Sequence, residues 1–147
     1  MTVLTGSNLT YRCGARKGPH PCAARDLYTG PLFRVARRWA EVHAGRWWIV
    51  SGKFGLVHPD EWIPPYDETL TADKAEAWGQ RVGHRLFQEN DYHELGGERV
   101  VILAGAIYAD ALEGPLRALG VVRLEQPLRG LKIGERLAWF KKEQARG

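Results

Sequence analysis

Short hydrophobic runs alternate along this chain with segments whose hydrophobic residues recur every three or four positions. The runs at 47–51, 99–105 and 121–124 are rich in Val, Ile, Leu or Trp, as buried strands are. Another strand is predicted within residues 2–13, interrupted at Gly6-Ser-Asn. These four segments predict the strands of one sheet.

The periodic segments predict four helices between and after these strands. The first begins near Pro31, a residue that suits the first helical turn, and the second near Thr71. The third covers 107–119, where Pro115 is expected to kink or divide it, and the last covers 134–144. Alternation of strands and helices predicts a single α/β domain over residues 1–147, with a largely parallel sheet flanked by helices.

Composition supports this prediction and excludes several classes of protein. The 147 residues are 44% hydrophobic and 26% charged, which is typical of a globular domain rather than a disordered or fibrous chain. No apolar run is long enough to span a membrane, and the N-terminal residues do not resemble a secretion signal. Two cysteines cannot form a disulfide framework. We therefore expect a soluble cytoplasmic protein of unknown oligomeric state.

Charge is distributed unevenly. Residues 1–60 carry nine Lys/Arg and three Asp/Glu, a net charge of +6; residues 61–99 carry four and nine, or −5; residues 100–147 carry eight and five, or +3. If the two ends meet in the fold, they form one basic surface suited to a phosphate-bearing partner. A solvated, merely solubilising surface is the alternative.

A long segment without clear periodicity, 53–69, follows the strand at 47–51. Its prolines disfavour a helix, and loops of this length are often functional, especially beyond the carboxyl end of a strand. The alternative is a structural lid in which Trp62, Ile63 and Tyr66 pack on the sheet edge. Most other tryptophans are expected in the core, which leaves Trp62 as a candidate for contact with a base.

A second candidate segment covers residues 13–28. Gly14 permits a tight turn, while Lys17 and Arg25 supply charge for a phosphate or carboxylate. Asp26 is a general base, a group that positions water, or a structural residue at a helix entry. Further along, the turn at 130–134 is expected to bring Lys132 near the site.

A metal site and a cofactor are not expected. Cys13, His20 and Cys22 are close in sequence, but their spacing is unlike that of zinc ligands, and no second ligand pair follows. Cys13 could instead be a reactive thiol if nearby cations lower its pKa. The more ordinary alternative is a small packed Cys22 and a Cys13 at a strand end.

Several short motifs together resemble the YaaA-like proteins over roughly residues 9–140. They are Ser51-Gly-Lys-Phe-Gly-Leu-Val-His-Pro-Asp60, Ile63-Pro-Pro-Tyr-Asp67, Arg25-Asp-Leu-Tyr-Thr-Gly30 and Val101-Ile-Leu-Ala-Gly-Ala-Ile-Tyr108. The order of motifs is also similar to a small bacterial and phage domain of unknown function, with Cys13-Gly14, Lys17, Ala24–Tyr28, Pro65–Leu70 and Gly130–Gly134 as the matching positions. Phe54 stands where that pattern has Tyr, and the chain is shorter than full YaaA proteins.

The resemblance implies protection from peroxide stress, DNA binding, and a core similar to that of uracil-DNA glycosylases. No settled reaction comes with it, and a shared fold is weak support for a function.

Two functions follow as hypotheses. The first is an enzyme that acts on a nucleobase or nucleotide at an N-glycosidic bond. Cleavage of this bond passes through an oxocarbenium-like transition state, which needs a carboxylate. Asp26 and Asp67 are the candidate catalytic residues. The candidates for substrate binding supply turns, aromatic faces and cations; they are Cys13, Gly14, Lys17, Arg25, Tyr28, Lys53, Phe54, Tyr66, Tyr108 and Lys132. The alternative is a non-catalytic DNA-binding protein of the oxidative-stress response, in which the basic ends matter. Nucleic acid, DNA more than RNA, or a nucleotide is the expected partner.

Overall fold

A five-stranded sheet forms the centre of the computed structural model, which describes residues 1–6, 21–66, 68–89 and 97–146. The sheet consists of β1 (Thr2–Gly6), β3 (Arg46–Ser51), β4 (Gly55–Val57), β6 (Arg99–Leu103) and β7 (Arg123–Glu125), in the order β4-β3-β1-β6-β7. Strands β3, β1, β6 and β7 are parallel, and β4 is antiparallel to β3. A separate antiparallel pair joins β2 (Cys22–Ala23) to β5 (Trp62–Ile63).

Helices cover both faces of the sheet. They are α1 (Ala24–Leu27), α2 (Pro31–His43), α3 (Ala75–Glu89, after a 3-10 turn at Ala72–Lys74), α4 (Ala106–Ala118) and α5 (Ile133–Arg146). Helices α3 and α4 pack on the face that carries Leu4, Val50 and Ile102. Helices α2 and α5 pack on the opposite face, against Val3 and Val101. Successive residues of a strand point to opposite faces, so each continuous apolar strand supplies both cores.

The predicted α/β domain with a mostly parallel sheet is confirmed, and most predicted boundaries lie within a few residues of the observed ones. The segment 53–69 is more regular than predicted, because β4 and β5 lie within it. Pro115 does not divide its helix, which continues to Ala118 before Gly120 adopts a φ of 91°. Among the described residues, no helix is long and apolar enough to cross a membrane.

The parallel strands end at one edge of the sheet. From β1 the chain continues to β3 on one side, whereas from β6 it continues to β7 on the other. Neighbouring strands whose connections leave in opposite directions open a crevice beyond their carboxyl ends, where ligands of open α/β sheets bind. The carboxyl end of β3, at Ser51, lies beside β1 at this edge.

At the other end of the sheet, an ion pair links β6 to β7. The guanidinium of Arg99 hydrogen-bonds to Glu125, with a second bond of 2.9 Å from Nη2. These bonds lower the pKa of Glu125 from its ordinary value of 4.5, although partial burial opposes the shift. A carboxyl whose pKa is lowered in the folded state stabilises the protein above its unfolded-state pKa, and this stabilisation is lost as the pH falls below it.

We expect Glu125→Gln to reduce the free energy of unfolding at neutral pH by less than about 1 kcal/mol, because both side chains are roughly 40% exposed and solvent screens the pair. The difference between wild type and variant should shrink as the pH is lowered below 4.5. Urea denaturation over an acidic pH series measures it. A difference that stays constant or grows toward acid pH would contradict this assignment.

Candidate functional site

Ser51 ends β3 with a fully buried side chain that has several hydrogen-bond partners. Its Oγ accepts the backbone N–H groups of Phe54, at 3.1 Å, and Lys53, at 3.3 Å. The hydroxyl donates to Tyr66 Oη at 2.7 Å. Ser51 Oγ thus fixes the turn from β3 into β4 through two backbone N–H groups, and it fixes Tyr66 through its hydroxyl hydrogen.

Tyr66 continues this set of contacts to a second tyrosine. Its Oη is hydrogen-bonded to the Oη of Tyr28, which lies 38 residues away in the sequence. The ring of Tyr66 also meets Tyr28 and Phe54 edge-on, with centroid separations of 6.2 and 5.1 Å. Both tyrosines are more than nine-tenths buried. Three hydroxyls, those of Ser51, Tyr66 and Tyr28, therefore form a connected chain at the carboxyl edge of the sheet.

Lys53 is the cation of this site. It lies in the turn after Ser51, is exposed, and places Nζ 5.4 Å from the centroid of the Phe54 ring. It has no ion-pair partner within the described part of the chain. An exposed ammonium group beside an aromatic ring suits an anionic ligand, whereas the hydroxyls of Ser51, Tyr66 and Tyr28 are buried and bonded to one another.

Tyr108 and Gly52 close the site on the side of α4. Tyr108 Oη accepts the backbone N–H of Leu70 at 3.3 Å, and a Cβ at Gly52 would lie 3.0 Å from that hydroxyl. Trp78 from α3 lies below, fully buried, and donates its indole N–H to the carbonyl oxygen of Ser51 at 2.8 Å. A Cβ at position 52 would lie only 2.7 Å from the backbone nitrogen of Leu70, so glycine there lets the turn after β3 approach that segment closely.

Arg25 and Asp26 lie in α1 and form ion pairs on the protein surface. Arg25 pairs with Asp60, and Asp26 with Arg37 of α2 at 2.9 Å. The Asp26 side chain is 56% exposed. Partial burial by itself would lower the pKa of Arg37, but hydrogen bonds to Glu41 and Asp26 outweigh it and raise that pKa. Asp26 thus links α1 to α2 through Arg37.

Four of the predicted site residues lie outside the described residues: Cys13, Gly14, Lys17 and Asp67. The same is true of His20. Cys22 is half-buried, and burial followed by the charge of Asp26 raises the pKa of its thiol, so a thiolate is disfavoured there. No group of three or more His, Cys, Asp or Glu able to hold a metal ion occurs in the part of the chain that the structure describes.

Lys132 is the predicted site residue that lies nearest the C-terminus. It is exposed just before α5, where its backbone N–H donates to Glu135 at 2.9 Å. No hydrogen bond or ion pair among the described residues joins Lys132 to the hydroxyl chain. The structure brings together Tyr28, Lys53, Phe54 and Tyr66, and Tyr108 lies nearby across Gly52.

Sequence reasoning did not select Ser51 or Trp78 as site residues. A serine that ends a hydrophobic strand was part of the motif that carried the resemblance, so a signal for Ser51 existed. No sequence signal pointed to Trp78, because its position on a periodic helix face is equally typical of a core residue. Trp62, expected either to pack or to contact a base, is 71% exposed, whereas Ile63 and Tyr66 are buried.

Comparison with known proteins places the chain in a family. A sequence profile for a family of unknown function, DUF6884, matches residues 11–142. The chain belongs to this family. It is also similar to the uncharacterized protein YfjM of Bacillus subtilis (strain 168), with 29% identity over 93 residues. That match covers 63% of this DUF6884 chain and 61% of YfjM. No solved structure matches the chain.

Proposed function

We propose that this protein is an enzyme that acts on a nucleotide or a nucleic acid and cleaves or modifies it at the N-glycosidic bond of a base. The observation that supports the proposal is the convergence of Lys53, Phe54, Tyr66 and Tyr28 on Ser51, at the edge of the sheet where ligands of this fold class bind. A nucleotide combines a phosphate with a planar ring that carries hydrogen-bonding groups. In the cluster, the exposed Lys53 supplies a cation and the Phe54 ring an apolar surface, and the buried hydroxyls hold the turn that carries both.

Departure of a base leaves positive charge on the sugar, so the reaction needs a carboxylate to stabilise that charge or to orient water. Asp67 is our candidate, because it follows Tyr66 directly in the sequence; it lies outside the described residues, and its role rests on that sequence position. Asp26 is the weaker candidate, since its carboxylate already pairs with Arg37 on the surface. Lys53 is proposed to bind a phosphate flanking the reacting nucleotide.

Release of free base from DNA, RNA and nucleosides that carry normal, deaminated or oxidised bases, measured by mass spectrometry, tests the proposal. We expect Lys53→Ala and Asp67→Asn to lower the rate at least about tenfold, and Asp26→Asn to change it less than about twofold. Lys74→Ala removes an exposed lysine outside the cluster and is the matched control for Lys53. Absence of release from every substrate, or release indifferent to Lys53 and Asp67, would overturn it.

A second candidate function is nucleic-acid binding without catalysis, in the oxidative-stress role that the YaaA resemblance implies. The packing of α2 against α5 favours it, because this contact joins the two basic ends of the sequence on one face of the sheet. Binding should then weaken steeply as salt is added, since each neutralised phosphate releases counterions. Filter binding of DNA over a salt series measures this, and the absence of binding at low salt would contradict it.

A further inference from the structure

Two adjoining cavities on the α2–α5 face differ in chemistry. The first, here called the arginine cavity, has a volume of about 330 Å³ and is lined by Arg34, Arg37, Arg38 and Glu41. Arg37 is held by Glu41 and Asp26. Arg34 and Arg38 are exposed and have no ion-pair partner within the described residues. They are therefore two cations, one helical turn apart, that remain available to an anion.

The second, here called the aromatic cavity, has a volume of about 240 Å³ and lies between α2 and α5. Its apolar lining comes from Val35, Trp39, Val42, His43 and Phe140. The His43 ring stacks on Trp39 at a centroid distance of 4.6 Å and an angle of 25°. Pockets for drug-sized molecules begin at about 300 Å³, so this volume suits a single planar ring system.

Arg38 lines both cavities and thereby joins them. Glu143 and Gln144 complete the rim of the aromatic cavity on α5. Glu143 contributes to the field at Arg99, whose pKa is raised chiefly by hydrogen bonding to Glu125. A ligand that spans both cavities thus meets a mostly apolar cavity at one end, and at the other two arginines without an ion-pair partner among the described residues.

We propose that the α2–α5 face binds single-stranded nucleic acid, with one base in the aromatic cavity and the adjoining phosphate between Arg34 and Arg38. A base inside a duplex is stacked and paired, so it is not available to a cavity of this kind, whereas an unpaired base is. This proposal shares with the preceding section a nucleic-acid partner but needs no base release. None of the residues that line the two cavities belongs to the Ser51–Tyr66 cluster.

Fluorescence anisotropy with a short labelled oligothymidylate tests the arginine half. We expect Arg34→Glu/Arg38→Glu to weaken binding about tenfold or more and to reduce the slope of log K against log salt by about 0.7, the value for one phosphate contact in a single strand. Arg81→Glu/Arg123→Glu is the matched control, because it makes the same change in net charge at exposed residues elsewhere. If both double variants weakened oligothymidylate binding equally, the effect would come from net charge alone, and the proposed site would be overturned.

Val42 tests the aromatic half. It is 72% exposed, and Val122, which lies outside this face, is 75% exposed, so Val42→Asn and Val122→Asn are comparable substitutions that leave the core intact. We expect Val42→Asn to weaken oligothymidylate binding about fivefold and to leave the affinity for an abasic strand unchanged. Val122→Asn should change the affinity for either strand by less than about twofold.

The outcomes separate this site from the functions proposed above. Tight single-strand binding that none of the α2 variants weakens would overturn the site and leave nucleic-acid binding intact. Absence of oligothymidylate binding at low salt would overturn it as well, whether or not base release is found. Light scattering provides a further check, because a dimer that buries this face and excludes oligothymidylate would replace the proposal with self-association.

Discussion

Gly79→Ala is expected to lower the free energy of unfolding by about 2–3 kcal/mol, because α3 and α4 approach each other too closely at this point for a side chain. A Cβ at Gly79 would lie 2.2 Å from the carbonyl oxygen of Ala111 and 3.0 Å from its carbonyl carbon. Both atoms belong to backbone, so the clash is relieved only if one helix moves. Alanine's higher helix propensity returns about 1 kcal/mol, which the expected value already includes.

Gly134→Ala is the matched control for this prediction. Gly134 lies in the first turn of α5, and a Cβ there would meet nothing within 4 Å. The same substitution should therefore raise stability by about 0.5–1 kcal/mol. Urea denaturation of both variants provides the comparison. Equal effects of the two substitutions would mean that helix propensity, and not the approach of α3 to α4, decides the outcome.

The close approach at Gly79 shows what the sequence alone left undetermined about the fold. Hydrophobic periodicity located the four long helices and the four parallel strands, because burial of one helix stripe and of whole strands is visible in the order of residue types. Which helices pack together is not visible in that order. In the sequence, Gly79 is only a residue of low helix propensity. The reason for a glycine becomes visible when Ala111 of another helix is placed against it.

The sequence predicts a long irregular loop at 53–69 and misses β4 and β5. Both strands are too short to leave a pattern in the sequence. Strands of two or three residues carry no measurable alternation, and their pairing depends on partners elsewhere in the chain. Cys22 and Ala23 supply the partner for β5, and Ile49–Ser51 supplies the partner for β4. That the segment follows a parallel strand was predictable, because the hydrophobic run at 47–51 precedes it.

The residues of the candidate site were easier to predict by type than by contact. The sequence indicates Tyr28, Lys53 and Tyr66 as carriers of aromatic and cationic groups, and the structure brings them to one place. The ion pair between Asp26 and Arg37 was not predicted, because it requires that α1 and α2 meet at a particular angle. Sequence motifs thus identify which groups are available, while tertiary packing decides which of them remain free for a ligand.

Ser51→Ala is expected to lower the free energy of unfolding by about 2–3 kcal/mol, although it removes a single oxygen atom. Without Oγ, the N–H of Phe54 and the hydroxyl of Tyr66 each lose a partner in a buried environment. Tyr66→Phe should cost about 1–2 kcal/mol, since it takes a partner from both Ser51 and Tyr28. In the double variant the two losses should overlap, with a coupling energy of about 1 kcal/mol.

Thr5→Val is the control that separates a shared network from the removal of any buried hydroxyl. Like Ser51, Thr5 is fully buried near the carboxyl end of a parallel strand, but its Oγ1 has no hydrogen-bond partner within the described structure. Replacing an unpaired buried hydroxyl by a methyl group of similar shape should be neutral or stabilising by up to about 1 kcal/mol. Chemical denaturation of the four variants measures the cycle and the control together. Additive effects of Ser51→Ala and Tyr66→Phe, or a loss at Thr5 as large as that at Ser51, would contradict the connected hydroxyl chain on which the proposed site depends.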